Sequence, residues 1–299
     1  MRKGIQFILL SGLSFVVVNF LVKSLGGQND ISHYFHFQTY GAHELVFFRS
    51  LVSFAISATI IKKRRIPFFG NNKKWLMVRG ISGVFALTLF FFTLQKLPLA
   101  IASILQYLSP IFTVILASFI LKDKILRLQW LLIILAFAGV VLVGYDNLFP
   151  AADTKMDTTW MLLGIVSAFF SAIAYTAIVK LKNTDQAISI VLYFPMLALP
   201  FTGIWCLFDF VWPHGIEWIV LLCIGIFTQI AQILMTRALH LGDTAKIVPF
   251  QYLGAIYAVV LGWFVFDERL SNIVLIGMGI IIFCVILNTI YQHRVKTIA

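Results

Sequence analysis

The sequence predicts an all-α integral membrane protein, with ten transmembrane helices arranged as two inverted five-helix repeats. Three observations carry this expectation. Of the 299 residues, 61% are hydrophobic and only 12% charged, and the mean hydropathy of +0.96 is far outside the range of soluble globular chains. Ten apolar stretches approach the ~20 residues needed to cross a ~30 Å hydrocarbon core. Finally, the run LQYLSPIFTVILASFILKDKI at 105–125 returns as FQYLGAIYAVVLGWFVFDERL at 250–270.

The spans fall near 5–25, 43–61, 75–95, 100–121, 128–147, 160–182, 188–209, 217–238, 245–266 and 272–291. The first begins MRKGIQFILL and has the basic start of a signal peptide. Its apolar run is longer than the ~7–15 residues of a signal h-region and no A-x-A-like site follows, so it reads as a span that is kept. Asn19 lies within it. The second, opening HELVFFRSLVS, carries Arg49 about two turns in, with Glu44 just before it. A charge at a helix centre costs ~2.5–3.5 kcal/mol on insertion scales, so Arg49 is expected to pair with Glu44, to snorkel, or to hold a ligand or water. Lys23, Arg79, Lys180, Arg237 and Lys246 sit near span ends and read as snorkelling anchors.

The fourth span presents Gln106, Ser109, Pro110, Thr113 and Ala117 on one helical face, and the ninth presents Gln251, Gly254, Ala255, Ala258 and Gly262. Small residues suit close helix packing. The two glutamines differ, because an unsatisfied amide in hydrocarbon costs several kcal/mol and needs a partner or a wet cavity. Tyr175 in the sixth span follows the small face Gly164, Ser167, Ala168, Ser171 and Ala172, and Gln229 and Gln232 lie in the eighth. Pro110, Pro195, Pro200 and Pro249 each remove a backbone hydrogen bond inside a span.

The formal charge of +11 invites a nucleic-acid reading, which the placement of the charges answers. Only Lys96, Lys155 and Arg269 fall in outer loops, and Lys23, Arg49 and Lys246 lie within spans. The rest of the 23 Lys and Arg fall on the side of the N-terminus, including Lys62, Lys63, Arg64, Arg65, Lys73 and Lys74 between spans two and three. This is the positive-inside pattern, with both termini cytoplasmic and no nucleic-acid partner. Cys206, Cys223 and Cys284 sit singly inside spans as small apolar residues, not as a disulfide or metal framework.

The repeat explains the returning run. Gln106-Tyr107-Leu108 aligns with Gln251-Tyr252-Leu253, and Lys122-Asp123-Lys124-Ile125 with Asp267-Glu268-Arg269-Leu270, at an offset of 145. The first span aligns with the sixth at an offset of 157, placing Ser14 on Ser171 and Lys23 on Lys180; the difference fits between a long loop at 26–42 and a short one at 183–187. The halves are residues 1–150 and 151–299. Five spans per half make the second copy enter the membrane from the opposite side. Inverted repeats of this kind place a binding site between the halves near the bilayer midplane, with alternating access around it.

With HELVFFRSLVS in the second span, LPLAIASILQYLSPIFTVILASFILKDKI in the fourth and LGDTAKIVPFQYLGAIYAVVLGWFVFDERL in the ninth, nearly the whole chain resembles the EamA-type branch of the drug/metabolite transporter superfamily. The resemblance implies an exporter-like carrier of a small metabolite such as an amino acid, with a cavity lined by both repeats. Residue by residue, the candidates for binding substrate are Gln106, Gln251, Arg49, Tyr175, Asn19, Gln232, Tyr107 and Tyr252. The guanidinium of Arg49 suits a carboxylate or phosphate, so the expected substrate is neutral, zwitterionic or carboxylate-bearing.

The rival classes are a channel-like or structural membrane subunit and an intramembrane enzyme. No G-x-S-x-G, H-E-x-x-H or paired intramembrane aspartates support the last. His33, His36 and His43-Glu44 cluster near one loop without the spacing of a metal site. No cofactor is expected. The expected partners are the substrate and the lipid bilayer, for a monomer or homodimer. The short termini and loops point to a bacterial inner membrane.

Overall fold

The computed structural model describes residues 2–25, 37–97, 99–120, 126–143, 145, 158–241, 247–257, 260 and 272–298. Its regular elements are helices: α1 (Arg2–Leu25), α2 (Ala42–Arg64), α3 (Lys73–Lys96), α4 (Leu99–Gln106), α5 (Ser109–Ile120), α6 (Arg127–Val143), α7 (Thr158–Leu181), α8 (Ala187–Cys206), α9 (Glu217–Leu241) and α10 (Asn272–Ile298). Between α9 and α10, a 3₁₀ turn at Val248–Tyr252 leads into helix at 253–257. Among the described residues seven helical stretches are long and apolar enough to cross a membrane, and shorter apolar helices cover Arg127–Leu142 and Asn272–Leu287. With the segment at 247–257 these account for the ten spans. Leu51, Phe85, Phe119, Leu131, Ile219 and Phe283 are exposed on the outer surface, where lipid takes the place of water.

The packing has the exchange symmetry of a duplicated chain. α1 packs along α9, and α3 along α7; exchanging the repeats turns the first pair into the second. α2 packs on α8 and α6 on α10, pairs that the exchange leaves unchanged. Tyr107 and Tyr252, equivalent in the alignment, meet with ring centroids 6.1 Å apart. A residue that touches its own equivalent lies beside the pseudo-two-fold axis, so that axis passes between these two rings. The charged closures at 122–125 and 267–270 lie outside the described residues, as does Lys246.

The fourth span is interrupted, not continuous as its apolar run implies. α4 ends at Gln106 and α5 begins at Ser109. Pro110 has no N–H to give to the Gln106 carbonyl, which removes the bond that would carry the helix across. The equivalent point of the ninth span is the 3₁₀ turn containing Pro249. By contrast α8 runs through Pro195 and Pro200 without a break.

Two carboxylates tie the ends of the central helices. Asp185, just before α8, accepts the backbone N–H of Asn71 (2.5 Å) and of Asn72 (3.1 Å) at the start of α3. At the equivalent corner, Glu217 at the start of α9 accepts the backbone N–H of Gln38 (2.7 Å), its side-chain amide (2.9 Å), the Tyr40 hydroxyl (2.6 Å) and the His214 N–H (2.8 Å). Burial, reinforced by the bond to Glu217, pushes the Tyr40 phenol above its ordinary value and keeps it a donor. Removing Glu217 takes away the acceptor of the Tyr40 hydroxyl and of the Gln38 and His214 backbone N–H groups. Glu217→Ala is therefore expected to lower the melting midpoint of detergent-solubilised protein, while Asp209→Ala, at an exposed side chain, leaves it unchanged.

Candidate functional site

A cavity of about 150 Å³ lies at the centre of the bundle, lined by residues of α1, α2, α3, α4, α5, α7, α8, α9 and the segment at 247–257. Both repeats contribute to it. Seven of the expected residues are on its wall: Asn19, Arg49, Gln106, Tyr107, Tyr175, Gln232 and Gln251. Tyr252 is not. It is fully buried against Tyr107, and its hydroxyl has no partner among the described residues.

The break in the fourth span puts Gln106 at the C-terminal end of α4, facing α7. Its amide nitrogen donates to Ser171 Oγ at 3.0 Å, and Ser167 Oγ lies 3.3 Å from its carbonyl oxygen while donating to the Ala86 carbonyl at 2.7 Å. The small face of the sixth span thus supplies hydroxyls that fix Gln106. Its equivalent, Gln251, has a far weaker tether, a contact of 3.7 Å from Nε2 to Met235 Sδ. One glutamine is held firmly, and the other is held, among the described residues, by this long contact to sulfur. Ser109 and Gly254 also line the cavity, whereas Pro110, Thr113 and Ala117 of the same face are buried in packing away from it.

Arg49 is 1% exposed, yet it does not pair with Glu44. Glu44 stands at the third position of α2, where its carboxylate accepts the Gly41 N–H at 2.9 Å and the Val211 N–H. It is occupied as a helix cap and loop tie. The Arg49 guanidinium instead lies over two aromatic rings, 5.5 Å from the Phe91 centroid and 5.3 Å from that of Phe194. Its Nε has no partner, and no carboxylate reaches it among the described residues.

Arg79 overturns its expected role as a snorkelling anchor. It is 2% exposed and lines the same cavity, with Nη2 donating to Gln232 Oε1 at 2.8 Å and Nε unpaired. The helix is why: α3 starts at Lys73, capped by Asn72, so Lys73 and Lys74 occupy the interface and Arg79 is nearly two turns deeper. Gly83, one turn further on, makes the room. A Cβ there would stand 2.3 Å from Arg79 Nη1 and 3.1 Å from Phe194 Cδ2. The signal in the sequence was an arginine well past a lysine pair, with a glycine one turn beyond it.

The other polar groups separate cleanly. Gln229, one turn before Gln232, points elsewhere and donates to Ser57 Oγ at 2.7 Å, tying α9 to α2. Lys23 donates to the carbonyls of Leu94 (3.1 Å) and Leu97 (2.9 Å), closing the end of α3. Lys180 and Arg237 are exposed. His43 stacks on Trp205 at 5.0 Å, and its Nε2 lies 2.9 Å from the Asp209 carbonyl; His33 and His36 are outside the described residues. The described carboxylates Glu44, Asp185, Asp209 and Glu217 all sit at helix ends or in loops, so the cavity has two cations and no anion among the described residues.

Comparison with known proteins agrees with this arrangement. The model of the EamA-like transporter family matches twice, over residues 2–145 and 158–290. A pseudopaline exporter of Pseudomonas aeruginosa is 27% identical over 295 residues, covering 96% of each chain. A riboflavin transporter of Vibrio cholerae is 25% identical, covering 98% of this chain and 94% of that one. An S-adenosylmethionine uptake transporter of Rickettsia prowazekii is 22% identical over 91% and 90%. A solved crystal structure superposes with a TM-score of 0.80 over 99% of each chain at 16% identity, a likeness of fold. The chain, a multi-pass membrane protein with a cavity between its two halves, belongs to the EamA-like transporter family.

Proposed function

We propose that this protein is a secondary carrier of exporter type, moving a small carboxylate-bearing metabolite of the amino-acid class across a bacterial inner membrane by alternating access. The observation that carries this reading is Arg49: a fully buried guanidinium on a cavity wall, with no carboxylate of the described residues to neutralise it. A buried cation without a counter-ion is costly, and a substrate carboxylate offsets that cost by taking both arms of the planar fork. Asn19, Tyr107, Tyr175 and the loosely held Gln251 supply further polar contacts around it, and Gln106 fixes the substrate's orientation. The named relatives handle pseudopaline, riboflavin and S-adenosylmethionine, in both directions, and the 27% relative is an exporter.

In this reading residues 1–150 and 151–299 exchange conformations, and the interrupted fourth span and the 3₁₀ turn of the ninth, beside the axis, absorb the change. Both termini are cytoplasmic, the chain acts as a monomer or homodimer, and it is neither an enzyme nor a nucleic-acid binder. Reconstituted protein with a panel of radiolabelled amino acids is expected to show saturable counterflow. Flux that never saturates would identify a channel.

Two further results are expected. In a Cys-free background, Arg64→Cys and Arg294→Cys should be protected from an impermeant thiol reagent in intact cells, while Lys155→Cys reacts; the opposite labelling would reverse the orientation. Gln106→Leu and Gln251→Leu should each lower counterflow more than they lower the yield of folded protein. Equal losses of yield and flux would return the glutamines to packing roles.

A further inference from the structure

The cavity holds a second buried guanidinium that a single carboxylate does not account for. Arg49 and Arg79 come from different helices, both are at least 98% buried, both line the same space, and neither Nε has a partner among the described residues. They approach one another in the region of Gly83 and Phe194: Arg49 Cζ is 5.3 Å from the Phe194 centroid, and a Cβ on Gly83 would meet both Arg79 Nη1 at 2.3 Å and Phe194 Cδ2 at 3.1 Å. Among the described residues no carboxylate balances them. Gln232 gives Arg79 a neutral acceptor only, and the described carboxylates are occupied at helix ends or lie in loops. Two like charges in one low-dielectric space repel strongly, so the arrangement is favourable only with an anion between them.

The geometry points to a substrate carrying two acidic groups, one on Arg49 and one on Arg79, with Gly83 and Gln232 positioning the second guanidinium. This rests on the reading of the cavity as the substrate site and adds the charge class of the substrate. A dicarboxylate, or an acidic amino acid with its side-chain carboxylate, fits two forks that line one cavity. A net-neutral zwitterion leaves one guanidinium without an anion.

The test measures ligand-induced shifts in melting midpoint for the purified full-length protein, since a ligand that binds only the folded state stabilises it by mass action. The probes are glutamate and glutarate against glutamine and valerate, matched in length and differing in the second acid. Wild type is expected to bind the two dianionic-type probes about tenfold or more tightly than their partners, the scale of one charge-assisted contact. Arg79→Gln should bring glutamate down to the glutamine level without further weakening glutamine, whereas Arg49→Gln should weaken all four. Gly83→Ala, which retains the charge but displaces the Arg79 fork, should act like Arg79→Gln and covers the case in which that variant folds poorly. Equal binding of glutamate and glutamine by wild type, with no change in Gly83→Ala, would overturn the two-acid site. Arg49→Gln abolishing both responses would then still uphold the carboxylate carrier, and an inert Arg49→Gln would overturn that as well.

Discussion

Arg49→Gln is expected to reduce substrate counterflow by about ten- to a hundredfold, the range for losing a charge-assisted hydrogen bond or a bidentate pair. The yield of folded protein should hold or rise. The wild-type side chain is buried against Phe91 and Phe194 with no carboxylate partner among the described residues, so the empty protein bears the cost of the charge against ring contacts. Glutamine removes that cost and keeps much of the volume. Arg49→Lys should restore a minor part of the flux: an ammonium is a point charge that meets one oxygen and lacks the planar fork. Flux is measured in proteoliposomes at matched protein density, and yield by size-exclusion profile. Robust transport of a quaternary ammonium compound, undiminished in Arg49→Gln, would sink the assignment, because such a cation has no use for a guanidinium.

Parts of this site are legible in the sequence for physical reasons. A glutamine or arginine in an apolar run has few alternatives to a cavity or a partner, and Arg49, Gln106 and Gln251 all reach the central space. Duplication is legible because the Gln-Tyr pair returns, and the pairing of α1 with α9 and α3 with α7 follows from it. Arg79 was hidden by its distance from the helix end, a quantity uncertain by a few residues in sequence and decisive in three dimensions. Gln229 and Gln232 are one helical turn apart and alike in composition, yet one ties two helices and the other holds Arg79. Glu44 was offered as the partner of Arg49 on spacing alone. The competing attraction of unpaired N–H groups at a helix start and in the loop at Val211 decided otherwise. Pro110 marked the interruption of the fourth span, but the sequence did not say whether the helix would bend or stop.

Gly254→Ala, a change of one methyl group, is expected to cut counterflow severely while the protein still folds. Gly254 aligns with Ser109 of the first repeat and stands at the axis, where a Cβ would lie 2.5 Å from the Tyr107 hydroxyl oxygen but 3.4 Å from Cζ and 3.6 Å from Cε1. Only the hydroxyl is in the way. It is the far end of a side chain beside open space, so the phenol yields into the cavity instead of forcing the helices apart, and the volume lost is that which the substrate needs. Tyr107→Phe removes the clashing atom and leaves ordinary contact distances. The double variant Gly254→Ala with Tyr107→Phe should therefore transport as well as Tyr107→Phe alone, a favourable coupling that a double-mutant cycle isolates. If the double variant is as poor as Gly254→Ala, the methyl group acts elsewhere. The close approach of the fourth and ninth spans at the axis would then be the cause, in place of the position of the Tyr107 ring.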